Sequence, residues 1–89
     1  MKHLDPLGSF KRDFKRITKR KWDVRKLEYM IALLRSDEPL PLNARPHKLT
    51  GDWVGFWECH VGPDWILIYD VSETTVLLVR TGTHVDLFE

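Results

Sequence analysis

Eighty-nine residues allow one domain and one modest core, and a chain with 43% apolar and 11% aromatic residues is not a disordered one. The single Cys59 excludes an internal disulfide and a paired-thiol zinc knuckle, and suits a reducing compartment. The net charge of +1 conceals a division: residues 1–36 hold eleven of the fourteen Lys and Arg and four of the thirteen acids, a net +7, whereas residues 37–89 carry −6. A basic half of this kind suits a polyanionic partner, the plainer alternative being a solvated helix face.

Met1–Pro6 lacks the apolar region of a signal peptide, and the longest apolar stretch, Trp65–Tyr69, is too short to cross a bilayer. The expectation is a cytoplasmic chain with no membrane partner, and residues 1–89 read as a single domain without repeat or linker. In chain order, Lys2–Leu4 is a candidate edge strand. A first helix is expected from an N-cap at Ser9, with Phe10, Phe14 and Ile17 on one face and Lys11, Lys15 and Lys19 among the basic residues filling the others. Asp23 is a second N-cap. Val24, Leu27, Met30, Ile31 and Leu34 mark an amphipathic second helix, and the short gap predicts an antiparallel pair.

Helical periodicity ends near Pro39 and Pro41, and Leu40–Leu49 reads as a connector containing His47. Strands are expected at Trp53–His60, Trp65–Asp70 and Val76–Thr81, separated by turns at Val61–Asp64 and Ser72–Thr74. Short turns make these a three-stranded antiparallel meander. The fold class is α+β: two N-terminal helices packed on one face of a small curved antiparallel sheet.

An antiparallel meander returns the end of its third strand to the place where the second began. His60, Asp64 and His84 then converge on one end of the sheet. Two histidines suit RNA cleavage through the ribose 2′-OH, because one group removes the 2′ proton and another protonates the departing 5′ oxygen. A carboxylate can orient an imidazole, and a fixed cation such as Arg80 can stabilise charge on the phosphorane. Each residue also has a plainer reading. His47 alone in a loop is more often a surface residue, Asp64 suits a turn, Trp65 suits the core, and Phe88 either packs on the domain or contacts a base. A zinc site built from the histidines and Asp64 lacks a recognisable ligand spacing.

Three segments carry a family resemblance: His47–Trp53, matching H-x-L-x-G-x-W; Glu58–Tyr69, matching H-x-x-P-D-W-[IL]-L-[IL]-Y from His60 onward; and Arg80–Phe88, matching R-T-G-[ST]-H-x-x-L-F. With these motifs the chain resembles the YafQ branch of the RelE toxin superfamily. The resemblance implies a RelE-like microbial RNase fold and a metal-independent, cofactor-free endoribonuclease that cuts mRNA, usually on the translating ribosome. It also implies a cognate antitoxin as partner. Carried over by position, the functional residues fall on His47, His60, Asp64, His84 and Phe88, and Arg80 matches the basic position. On this reading His84 is the foremost acid or base, with His60 or His47 as its partner and Asp64 orienting or tuning one of them. Phe88, with Trp65 as a second candidate, stacks on a base, and the basic helices grip RNA phosphates. The free toxin is expected to be a monomer.

Overall fold

The computed structural model describes residues 1–89. The elements run β1 (His3–Pro6), α1 (Gly8–Lys19), α2 (Val24–Arg35), β2 (His47–Lys48), β3 (Trp57–Gly62), β4 (Trp65–Val71), β5 (Thr75–Gly82) and α3 (His84–Phe88), with short 3-10 turns at Leu42–Ala44 and Gly51–Trp53. The five strands form one sheet in the order β1-β5-β4-β3-β2. Three of its pairings are antiparallel, and β1 lies parallel to β5. The meander is therefore present, inside a mixed sheet. No helix is long and apolar enough to cross a membrane.

Alternation along the strands divides the sheet into two faces. Cys59, Val61, Trp65, Leu67, Tyr69, Val76 and Leu78 join Phe10 and Ile17 of α1, Leu27, Met30 and Leu34 of α2, and Ala44 in a 13-residue core. Fully enclosed members such as Ile17 and Leu27, both 0% exposed, each contribute about 1.5–3 kcal/mol. Ile66, Ile68, Val79 and Leu87 make a smaller core on the other face, flanked by Trp53, Phe56 and Phe88. His47 and His60 belong to this second face.

Several sequence expectations shift in detail. Asp23 does cap α2, its carboxylate accepting from the Arg25 N–H. Ser9 does not cap α1, which begins after Leu7; its hydroxyl donates to the Val79 carbonyl at 2.6 Å instead. The reason lies at the sheet edge. β1 covers β5 only as far as Leu78, so α1 side chains take over the exposed backbone groups beyond it. Ser9 satisfies Val79, and the Asp13 carboxylate accepts the Thr81 N–H at 3.1 Å. The strand expected at Trp53–His60 begins only at Trp57, because Gly51–Trp53 curls into a 3-10 turn with positive φ at Gly51 and Gly55. The connector hides β2, which pairs with β3.

Candidate active site

The register assembles the site before any side chain is considered. His47 stands opposite Glu58, Glu58 opposite Ile68, and Ile68 opposite Arg80. Directly paired residues share a face, so this is one row across four strands. The next row runs His60, Ile66, Gly82, and the chain then enters α3 at His84. Two irregularities in register, after His60 and after Ile68, flank these rows, as bulges commonly do where a strand re-aims side chains.

Glu58 is the residue that the sequence reading missed. It is 8% exposed, and its Oε2 lies 3.6 Å from His47 Nε2 and 3.9 Å from His60 Nε2. Both contacts are longer than a direct hydrogen bond, so each imidazole meets this carboxylate as a counter-charge only when it is protonated. His47 Nδ1 lies 3.1 Å from the Arg45 carbonyl, an oxygen that can only accept, so the proton between them sits on Nδ1. The signal for Glu58 was present in the sequence: it lies two residues before His60, hence on the same face of a strand.

Asp64 meets His84 through the backbone, not through the imidazole. Following Pro63 in the two-residue β3–β4 turn, it adopts φ 49°, a conformation that Asp tolerates better than most residues. Its Oδ1 accepts the backbone N–H of His84 at 2.9 Å. It therefore binds the first backbone donor of α3, and no hydrogen bond to an imidazole is found. The sequence placed His60, Asp64 and His84 at one end of the sheet, and the structure brings Asp64 and His84 together there.

α3 has only five residues and is held by its surroundings. Thr83 and Asp86 form a capping box, with Asp86 N–H donating to Thr83 Oγ1 and Thr83 N–H donating to Asp86 Oδ2. Arg20 grips both Asp86 oxygens at 2.7 and 3.1 Å. Gly82, at φ 154°, lets the chain pass close to that carboxylate: a Cβ there would stand 2.9 Å from Asp86 Oδ2. His84 itself is exposed, its ring 5.1 Å from that of Phe88. Phe88 also packs edge-on against Trp53 at 6.1 Å, so it does pack on the domain, half-buried at the rim of the second face.

The Arg20 hydrogen bonds, with lesser help from Thr83, hold the Asp86 carboxyl well below its usual range against the opposing effect of burial. A depressed folded-state value contributes stability that is fully present above the unfolded value, near 3.9, and is lost as pH falls below it through the folded value. Asp86→Asn is accordingly expected to be less stable at neutral pH and to lose less between about pH 4 and pH 2. Urea unfolding across that range measures it, and parallel curves for the two proteins would contradict it.

One expected role is corrected and another is qualified. Trp65 is 6% exposed. Its indole N–H donates to Thr81 Oγ1 at 2.9 Å, and its ring packs 5.0 Å from Trp22 in the helix-side core. It offers no free face to a base on the histidine side. Arg80 is fixed, but its charge is met: Nε and Nη2 donate to Asp13 at 2.6 and 3.1 Å, and these bonds hold the guanidinium firmly protonated. Lys11, Lys15 and Lys19 are exposed on α1. Lys11 and Lys15 border an apolar groove with Phe10, Phe14 and Ile31 on the helix layer, and the structure does not bring them to the histidines. Cys59 is fully buried, and burial pushes its thiol up to about 12, which leaves it protonated at neutral pH and a poor nucleophile. No group of three or more His, Cys, Asp or Glu is placed to hold a metal ion.

The geometry has counterparts. The chain is 43% identical over 82 residues to the mRNA interferase toxin YafQ of Escherichia coli strain K12, a match covering 91% of this chain and 89% of that protein. The structure superposes on the toxin in the Escherichia coli DinJ–YafQ toxin–antitoxin complex with a TM-score of 0.89 at 39% identity, over 99% of this chain and 98% of that one. It superposes on a copper-bound mutant toxin from Helicobacter pylori with a TM-score of 0.93 at 38% identity, over 99% of this chain and 100% of that one. Residues 2–89 match the family described as YafQ, bacterial toxin of type II toxin–antitoxin systems. The chain belongs to the YafQ family of bacterial toxins.

Proposed function

We propose that this toxin is an endoribonuclease that cleaves mRNA on the translating ribosome. The observation that carries the reading is the placement on one sheet face of His47, Glu58 and His60, with His84 entering from α3 at the adjoining end. In the reaction a histidine takes the ribose 2′ proton, the 2′ oxygen attacks the adjacent phosphorus, the bond from phosphorus to the 5′ oxygen breaks, and a second histidine protonates that oxygen. The products are a 2′,3′-cyclic phosphate and a 5′-OH. His84 is one of the pair. His60 or His47 is the other, with Glu58 as the counter-charge to whichever imidazole is protonated. Asp64 fixes the backbone from which His84 projects, Arg80 lends positive charge reduced by Asp13, and Phe88 stacks on a base beside His84.

The step uses no metal. The copper in the Helicobacter pylori toxin supplies the competing reading, so cleavage should be assayed with copper and zinc selectively chelated and ribosomal magnesium retained. A chain that purifies with stoichiometric transition metal, and loses cleavage when stripped of it, refutes the histidine mechanism. Inducing the toxin alone in bacteria and mapping mRNA 5′ ends tests the ribosomal step: cuts in one reading-frame phase support it, and frame-independent cuts contradict it. A folded chain that binds RNA or its partner but produces no cuts is a binding domain. The partner we infer is a cognate antitoxin, as DinJ is for the Escherichia coli protein, and the site of action is the cytoplasm.

The basic helix is assigned to ribosomal RNA, gripped through phosphates. Replacing Lys11, Lys15 and Lys19 together by Glu should leave the fold intact, because all three are exposed off the Phe10–Phe14–Ile17 face. It should flatten the dependence of log affinity on log salt by about 0.7–0.9 for every phosphate that is no longer neutralised. An unchanged slope in ribosome-binding titrations would make this face an ordinary solvated surface.

A further inference from the structure

We propose that Arg45 forms an anion subsite that holds a phosphodiester of the RNA beside His60, an inference that rests on the ribonuclease reading above. A cleft of about 350 Å³ separates the 3-10 turn at Leu42–Ala44 from the β3–β4 turn, and Asn43, Arg45, His60, Pro63 and Asp64 line it. Arg45 is the cation of that cleft.

The distribution of charge on the molecule singles it out. Arg16, Arg20 and Arg80 are drawn to Asp13 and Asp86, Arg25 is paired with Asp23, and Arg35 donates to the Lys2 carbonyl. Only Arg12 and Arg45 have guanidinium groups with no hydrogen bond or ion pair, and Arg12 lies on α1. Arg80, which the sequence nominated for this task, spends two donors on Asp13. Asp64, the acid of the cleft, has one oxygen committed to the His84 N–H.

Arg45 is also held in place without using its side chain. It caps the 3-10 turn at φ 42°, its N–H donates to the Leu42 carbonyl, and its neighbour Ala44 is fully buried. Its own carbonyl receives His47 Nδ1. One backbone turn thus fixes His47 and places a free guanidinium at the cleft that His60 lines. A guanidinium presents paired N–H donors that match two phosphate oxygens, a geometry that an ammonium does not reproduce.

The test uses ribosomes programmed with mRNAs that carry a single methylphosphonate at each position around the cut, which removes one phosphate charge at a time. Arg45→Asn removes the cation and keeps a residue tolerant of the left-handed conformation, so the hydrogen bond with His47 is retained; Arg45→Lys keeps the charge and loses the fork. Arg45→Asn should raise KM by about 10–100-fold with an unchanged melting midpoint, and Arg45→Lys should fall between it and the wild type. One methylphosphonate should weaken the wild-type protein by a similar factor and have no further effect on Arg45→Asn. Equal methylphosphonate profiles in the two proteins, or a wild-type KM for Arg45→Asn, overturns the subsite while wild-type cleavage in the same assay leaves the ribonuclease reading standing. A wild-type chain that neither binds nor cuts the mRNA overturns both.

Discussion

His84→Ala should reduce mRNA cleavage by about 10²–10⁴-fold, the usual contribution of a general acid or base, and abolish growth arrest while the protein stays folded and binds its antitoxin. The separation of activity from folding follows from how α3 is held. Its anchors are the His84 backbone N–H on Asp64, the Thr83–Asp86 capping box and the Arg20–Asp86 pair. None uses the imidazole, which is exposed, and Ala is the best helix former available at that position. Phe88→Ala should reduce cleavage less, since a stacking ring positions a base and moves no proton. Cys59→Ser should retain most activity, because the thiol is buried and protonated. Single-turnover cleavage beside a thermal melt for each variant separates these effects. A folded His84→Ala protein with wild-type rate, together with an inactive but folded Cys59→Ser protein, would replace the histidine mechanism with one based on the thiol.

The largest loss of stability is expected from Asp13→Ala. Asp13 is 1% exposed and accepts three hydrogen bonds, two from Arg80 and one from the Thr81 N–H. Removing it leaves a half-buried guanidinium and a buried backbone donor without their acceptor, which costs about 3–5 kcal/mol. In a domain of this size that lowers the melting midpoint by well over about 10 °C. The pair is costly to break and less costly to replace: Asp13→Leu combined with Arg80→Met should recover the part of the loss that comes from the stranded guanidinium, while the Thr81 N–H stays without its acceptor. Thermal melts of the single and double variants measure both effects. An Asp13→Ala midpoint within a few degrees of the wild type would mean that water replaces the carboxylate at the β5 edge.

Those two residues show what the sequence could and could not reveal. The Phe10–Phe14–Ile17 face, the Asp23 cap and the β3–β4–β5 meander were legible because period and turn chemistry are local. The meeting of Asp64 with His84 was legible because meander geometry follows from strand order. Asp13 was not singled out, although its spacing from Phe10 and Ile17 places it on the buried face, because its partners are 67 and 68 residues away. The parallel seating of β1, the two-residue β2 and the five-residue α3 are too short for any periodicity to register. Trp65 and Arg80 were offered to the substrate on residue type. The register and the packing of α1 commit one to the core and pair the other with a carboxylate. Arg45 drew no attention in a Pro-rich connector, since nothing local marks a cation left unpaired by the tertiary structure.

The central claim is that side chains of this chain activate the ribose 2′-OH of the message. Its most direct test places one 2′-deoxynucleotide immediately 5′ of the scissile phosphate in an mRNA presented on the ribosome, with transition metals chelated. The account predicts binding equal to that of the unmodified message, loss of cutting at that phosphate alone, and 2′,3′-cyclic phosphate and 5′-OH ends on the unmodified control. Undiminished cutting at the deoxy position would show that water, and not the ribose hydroxyl, attacks the phosphorus, and would contradict the mechanism drawn from His47, Glu58, His60 and His84.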